Sequence, residues 1–175
     1  MTHIRNTIES DLVDIQKIYT HYVVNTFSTF EINPPNQNEL TSRWKNITNM
    51  GFPYLTAELE HQVVGYTYAS KYRSRSAYDY TIEDSVYVSP YFLGQGVGES
   101  LLNTLIHKCL PLGWRQMVAV IGDAQNTSSI NLHEKCGFYK IGNMPSTGYK
   151  LGQWIDTIIM QRELGDGDKT TPSLK

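Results

Sequence analysis

No apolar stretch in this 175-residue chain approaches the roughly 20 residues that a membrane-crossing helix needs, so no membrane segment is expected. Surplus charge is missing too. Fifteen basic and 17 acidic side chains leave a formal net charge of −2, which gives no general pull toward nucleic acid or anionic lipid. Any phosphate-bearing ligand would need a local site. Cysteine is scarce. Cys109 and Cys136 fall in helical patterns without paired-ligand spacing, which predicts two buried thiols, no disulfide and no metal centre. The N-terminus lacks the apolar core of a secretion signal, and with reduced thiols this makes a cytoplasmic protein the expectation. Internal repeats and low-complexity segments are absent as well. What remains, at 40% hydrophobic and 18% charged residues, is the composition of one ordinary globular domain. Tyrosine alone is in excess, with 12 residues.

Hydrophobic periodicity predicts a single α/β domain over residues 1–164 and a disordered tail over 165–175. Ile4 opens a short strand. Ser10 and Asp11 can cap a helix whose apolar face carries Leu12, Ile15, Ile18, Tyr19, Tyr22 and Val23. A loop through Phe30 and Glu31 ends at Pro34 and Pro35, and a second helix holds Leu40, Trp44 and Ile47 before Gly51. Residues 54–58 and 62–72 read as a hairpin around Glu60 and His61. A basic loop over 71–78 leads into a strand with Tyr80, Ile82, Val86 and Val88 on its apolar face. Leu101, Leu102, Leu105, Ile106 and Cys109 mark a helix, residues 116–121 a buried strand, and Asn126 the cap of a helix closed by Gly137. Two last strands span 138–144 and 154–161.

The chain is organised around Asp79 to Ile106, which reads as strand, Ser-Pro stop, glycine-rich loop and helix. Gly94, Gly96 and Gly98 free the backbone to turn N–H groups inward, and the helix that follows adds the positive end of its dipole. This suits a diphosphate. A nucleoside triphosphate loop would end in Gly-Lys-Ser/Thr, and Glu99 occupies the lysine-like place. A dinucleotide fold would place Gly-x-Gly-x-x-Gly after an early strand; here the third glycine is one residue short and the loop lies in mid-chain. Upstream, Glu83 alternates onto one strand face with Thr81, Ser85 and Tyr87, opposite Ile82 and Val86, so it can point into a cleft while its strand stays packed.

These residues resemble the GNAT N-acetyltransferases. The resemblance rests on Val86-Tyr-Val-Ser-Pro, Gly94-Gln-Gly-Val-Gly98, Asn126-x-x-Ser129 and His133-Glu-Lys-Cys-Gly-Phe138, taken in that order. The segments 77–88 and 118–122 are similar to the phosphinothricin and methionine sulfoximine acetyltransferase subfamily. The resemblance implies a mixed, mostly antiparallel central sheet flanked by helices, and acetyl transfer from acetyl-CoA to the amine of an amino acid or analogue. Carried over, Val86, Tyr87 and Val88 would pair with the pantetheine amides. Gly94, Gln95, Gly96, Val97, Gly98 and Glu99 would hold the diphosphate, and Asn126 would bond the pantetheine arm with Ser129 close by. Glu83 falls at the general base, and Arg73 and Arg75 at a carboxylate grip. Phe30 and Tyr78 are aromatics that can wall the acceptor pocket. Relatives are usually homodimers. An amine acceptor must lose a proton before attacking a thioester, so a carboxylate at Glu83 is chemically apt. A backbone N–H near Tyr87 or Val88 could polarise the thioester carbonyl.

Three departures stand out. Leu93 replaces the family's Gln or Arg before the glycines, which removes one side-chain contact near the diphosphate. His133 stands where many relatives carry a proton-donating tyrosine. Leu151 and Ile155 replace histidines of phosphinothricin-type members, which predicts a more apolar pocket and an acceptor with a long or aromatic side chain. Lys150 is expected on the surface, with a second anion contact as its functional reading. Other readings are a phosphinothricin or methionine sulfoximine detoxifying enzyme, a protein N-terminal acetyltransferase, and a non-catalytic CoA-binding sensor.

Overall fold

Two-residue hairpins of type I′ need both turn residues at positive φ, and the chain meets this twice, at Glu60 and His61 and at Leu151 and Gly152. The computed structural model describes residues 2–172. Along the chain run β1 (His3–Asn6), α1 (Leu12–Asn25), α2 (Gln37–Asn49), β2 (Tyr54–Leu59), β3 (Gln62–Lys71), β4 (Thr81–Val88), α3 (Val97–Cys109), β5 (Gln116–Gly122), α4 (Thr127–Lys135), β6 (Tyr139–Lys150) and β7 (Gln153–Glu163). The strands form one seven-stranded sheet in the order β1-β2-β3-β4-β5-β7-β6. Every pairing is antiparallel except that of β4 with β5.

Each sheet face carries its own core. On one face Leu102, Leu105 and Ile106 of α3 pack on Ile82, Met117, Ile158 and Met160. The opposite face takes α1 and α2 and accounts for much of the tyrosine. Tyr19, Tyr54 and Tyr66 are buried there, with Tyr68 and Tyr87 packed against them. Tyr54, Tyr66 and Tyr68 stack with near-parallel rings 4.9–6.4 Å apart. Burial pushes the Tyr54, Tyr66 and Tyr87 hydroxyls well above their ordinary range, so they stay protonated. Cys109 and Cys136 are buried free thiols, and burial pushes Cys136 up to about 11.

Three details differ from the sequence reading. Asp11 does not cap α1 through its side chain; its carboxylate turns back to accept from Ile8 N–H at 2.9 Å and from Arg5 at 2.7 and 2.9 Å. The last two strands are longer than 138–144 and 154–161, because a register shift between Met144 and Gly148 absorbs Pro145, Ser146 and Thr147 as a bulge in an edge strand. Asp156 steadies that bulge by accepting from Ser146 N at 2.9 Å and Asn143 Nδ2 at 3.1 Å. The segment expected to be disordered from 165 instead folds back as far as 172. Leu164 is fully buried, and Arg115 Nη1 donates to Thr170 Oγ1 at 2.9 Å. Residues 173–175 of that expected tail lie outside the described residues.

Candidate active site

β4 and β5 pair only where Thr81, Ile82 and Glu83 meet Gln116, Met117 and Val118. Beyond that point β4 stays with β3 and β5 stays with β7, so the sheet forks. A cleft of about 590 Å³ occupies the fork, walled by β4, the N-termini of α3 and α4, the end of β5 and the loop after α1.

The fork leaves main-chain groups of β4 unpaired. Ser89 N–H bonds Val64 O at 2.8 Å, which puts the alternate residues Tyr87, Ser85 and Glu83 in hydrogen-bonded pairs with β3. By the same alternation the N–H and C=O groups of Val86 and Val88 face the cleft. Tyr87 therefore offers no main-chain group there, and its ring lies in the tyrosine cluster. Val88 O is taken by the Tyr22 hydroxyl at 2.6 Å, which leaves Val88 N–H and both groups of Val86 for a ligand.

Past β4, Gly94 and Gly96 adopt φ of +72° and +77°, and a Cβ at either would meet nothing within 4 Å. Their need is conformational. Gly98 is needed for room instead, since its Cβ would lie 3.2 Å from Leu132 Cδ2. Gly96 caps α3 without a side chain, and the first intrahelical bond runs from Ser100 N to Gly96 O. The N–H groups of Val97, Gly98 and Glu99 thus have no helical acceptor, as at any helix start, and the positive helix end adds to them. Leu93 lines this part of the cleft. Gln95 is exposed and turns its amide toward Tyr91 O. Asn126 is already engaged: Oδ1 accepts from Ser129 N at 3.2 Å as the α4 cap, and Nδ2 donates to Ser28 Oγ at 3.3 Å. One Nδ2 hydrogen remains for a ligand, together with the Ser129 hydroxyl in the cleft wall.

Glu83 sits at the closed end of the fork, half-buried in the cleft wall. Burial, seconded by the neighbouring Asp84 carboxylate, pushes its carboxyl up to about 7, while Arg73 pulls the other way. Asp84 points to the opposite face and is buried, with Oδ2 3.1 Å from His133 Nε2 and Oδ1 without a partner. His133 Nδ1 lies 2.7 Å from Ser129 O, which can only accept, so Nδ1 carries a proton. Burial works against the His133 charge, but Asp84 and the Ser129 carbonyl outweigh it and raise its pKa. Both ring nitrogens are held within the protein. Sequence reasoning passed over Asp84 and Tyr22; nothing marked Tyr22 beyond its helical spacing, whereas an acid adjoining Glu83 was visible.

The acceptor residues divide. Phe30 lines the cleft, as do Tyr22 and Tyr68. Arg73, Arg75 and Tyr78 stand outside the wall on the exposed 72–78 loop. Arg73 lies over the Tyr72 ring at 4.3 Å and bonds Tyr72 O, yet its charge reaches Glu83. Leu151 sits at the tip of the last hairpin, 58% exposed, and Ile155 is buried in β7. Neither lines the cleft. Lys150 is the clearest correction: it is only 4% exposed, and Nζ donates to Thr29 O at 2.7 Å and Tyr22 O at 3.5 Å. A buried end of β6 meets two main-chain carbonyls there, and a lysine satisfies both.

A forked sheet, an uncapped glycine-started helix and an acid at the fork carry the comparison with known proteins. A family model described as the acetyltransferase (GNAT) family matches residues 15–138. The chain belongs to the GNAT acetyltransferase family. As a GNAT enzyme it transfers an acyl group with acetyl-CoA as co-substrate. It is 47% identical over 169 residues to a phosphinothricin N-acetyltransferase of Alcaligenes faecalis, covering 97% of this chain and 86% of that one. It is 34% identical over 163 residues to an L-methionine sulfoximine/L-methionine sulfone acetyltransferase of Salmonella typhimurium, covering 93% and 95%. A crystal structure of a GNAT superfamily phosphinothricin acetyltransferase from Sinorhizobium meliloti with acetyl-CoA superposes with a TM-score of 0.96 at 45% identity, covering 98% and 93%. The cleft of this GNAT chain fits acetyl-CoA on its own geometry: free N–H groups at the α3 start for a diphosphate, and free amide partners on β4 for an arm that carries amides.

Proposed function

We propose that the enzyme moves the acetyl group of acetyl-CoA to the α-amino group of a free L-amino acid or analogue, with Glu83 as general base. The observation that carries this is a half-buried carboxyl with a pKa near 7, set in the cleft wall where the sheet forks. A free amino acid's amine is mostly protonated at neutral pH, and a base with a pKa near the working pH accepts its proton efficiently. Bound acetyl-CoA supplies the activated thioester. Val86 and Val88 align its arm, the α3 start holds the diphosphate, and Val88 N–H, one of two free β4 donors with Val86 N–H, polarises the reacting carbonyl. Asn126 and Ser129 border the same arm. No further donor is required for a CoA thiolate, and His133 stays bound to Asp84 and Ser129.

On the acceptor side, Arg73 and Arg75 grip the carboxylate once the 72–78 loop turns inward, and Phe30 and Tyr78 flank the side chain. The relatives' names favour acceptors of the phosphinothricin or methionine sulfoximine type. The preference for a long or aromatic side chain rests on Phe30, Tyr22 and Tyr68 in the cleft wall, and no longer on Leu151 and Ile155. The enzyme works as a cytoplasmic homodimer, a reading supported by its reduced thiols and by the exposed Tyr139, Ile141, Tyr149 and Trp154 on the last hairpin. Light scattering tests the dimer. A panel of amino acids, phosphinothricin, methionine sulfoximine and N-terminal peptides, read by release of the CoA thiol, tests the acceptor. Specificity constants higher for peptides than for every free amino acid would overturn this reading, and so would acetyl-CoA binding without thiol release.

A further inference from the structure

The loop between α1 and α2 crosses the open end of the fork. From α1 the Tyr19 hydroxyl bonds Thr29 Oγ1 and Glu31 Oε1, and four contacts from the sheet and the α4 cap pin the loop on the other side. Gly122 at the end of β5 passes so close that a Cβ would lie 2.1 Å from Phe27 O. Asn126 Nδ2 bonds Ser28 Oγ. Gly148 of β6 takes the Cδ1–Cε1 edge of the Phe30 ring, where a Cβ would lie 2.1 Å from Cε1 and 2.3 Å from Cδ1. Lys150, two residues on, holds Thr29 O and Tyr22 O. Ser28, Thr29 and Phe30 all line the cleft, whereas Gly148, Lys150, Leu151 and Ile155 do not. The last hairpin thus reaches the site only through this loop.

We propose that Gly148 and Lys150 are positioning residues that set acceptor specificity by fixing Phe30 and Thr29 over the cleft. The inference rests on the amine-acceptor reading above and names what governs acceptor choice within it. Phe30 cannot move toward the hairpin, because Gly148 already leaves it no more than van der Waals space. It cannot swing away while Lys150 holds the preceding residue's carbonyl. A ring blocked on the hairpin side and tethered through Thr29 gives a wall of fixed depth, and a wall of fixed depth sorts side chains by length. The buried lysine suits the task. Its stem fills apolar space and its head offers three donors, of which the two carbonyls use two. Burial draws the Lys150 pKa down and Glu31 opposes this, yet either protonation state keeps enough N–H groups for both carbonyls. The hairpin can therefore tune the acceptor without touching it.

The test uses Lys150→Met and Gly148→Ala in the full chain, each alone and in a Phe30→Ala background. Lys150→Met should raise hydrogen exchange of the 26–31 amides by about tenfold or more, while the acetyl-CoA dissociation constant stays within about twofold. Gly148→Ala should raise the acceptor KM by about tenfold with little change in acetyl-CoA KM, and should compress the rate difference between long and short side chains. With Phe30 already reduced to alanine, Gly148→Ala should have no further effect on acceptor KM. Equal effects of Gly148→Ala in both backgrounds would overturn the inference, as would unchanged exchange in Lys150→Met. If no free amine serves as acceptor for the wild type, the functional reading fails, and the exchange measurement still decides whether Lys150 clamps the loop.

Discussion

On the cofactor side of the cleft most groups offered to a ligand are main-chain, namely Val86, Val88 N–H and the first amides of α3, with Asn126 Nδ2 and the Ser129 hydroxyl as the side-chain exceptions. On the proposed acceptor side they are side chains: Glu83 and Phe30 stand in the wall, Phe30 placed by contacts between segments far apart in sequence, and Arg73 and Arg75 stand on the exposed loop outside it. Main-chain groups have fixed spacing once the strand and helix form, so the first half tolerates substitution wherever backbone conformation is kept. The second half depends on whichever neighbour holds each side chain. One fold can thus keep one co-substrate while changing acceptors.

Glu83→Gln attacks the comparison where the expected effect is largest. Removing a general base should lower turnover by about 10²–10⁴-fold while leaving acetyl-CoA affinity nearly intact, measured by thiol release and by calorimetry. The pH profile carries the sign. Glu83 accepts a proton only when ionised, so kcat/KM should fall as pH drops through about 7. A wild-type acid limb near the ordinary glutamate range would remove Glu83 from the role. Arg73 now pulls that pKa down, so Arg73→Gln should move the limb to higher pH.

How much of this was legible follows the same division. Gly94 and Gly96 announce a backbone conformation, and the strand pattern aims Glu83 away from Ile82, so the order of elements, the fork-side strand and the loop could be read directly. Helices α1 and α2 were legible for the same reason, because apolar spacing reflects burial. Lys150 was not. Nothing local distinguishes a lysine facing water from one facing Thr29 O, since the acceptor lies 121 residues away. Leu151 and Ile155 misled because position in a segment says nothing of whether a side chain turns into the cleft. The β6 bulge was likewise missed, and the strand was ended at Met144, just before the register shift.

The acceptor half is probed next by Arg73→Ala and Arg75→Ala. Loss of a hydrogen bond to a charged group costs about 1.5–3 kcal/mol, so the amino acid KM should rise roughly 10- to 100-fold. The same variants should leave a decarboxylated amine of equal length almost unaffected. Equal losses for both acceptors would show that the arginines do not grip a carboxylate. Gly96→Ala probes the other half. Its side chain meets no obstruction, so the cost is left-handed strain alone, about 1–2 kcal/mol. Either stability falls by that amount, or the loop relaxes and acetyl-CoA binding weakens instead. In both cases the acceptor KM should hold, and a change confined to the acceptor would break the division.

Tyr22→Phe carries the smallest expected effect and the sharpest question, because Tyr22 belongs to both halves. Its hydroxyl bonds Val88 O on the cofactor strand, while its own carbonyl receives Lys150 Nζ from the acceptor-side clamp. Phenylalanine keeps the ring and the main chain, so only the hydroxyl bond is lost. That should cost about 1 kcal/mol of stability, read by chemical denaturation. Val88 O would then face the cleft with no donor from the protein, open to water or to an amide of the bound arm. Acetyl-CoA affinity should change by no more than about fivefold, which is the same 1 kcal/mol expressed as binding. The acceptor KM should not move, since the main-chain carbonyl of Tyr22 and its lysine remain. If both constants shift together, α1 transmits strain between strand and clamp, and the two halves are one mechanical unit.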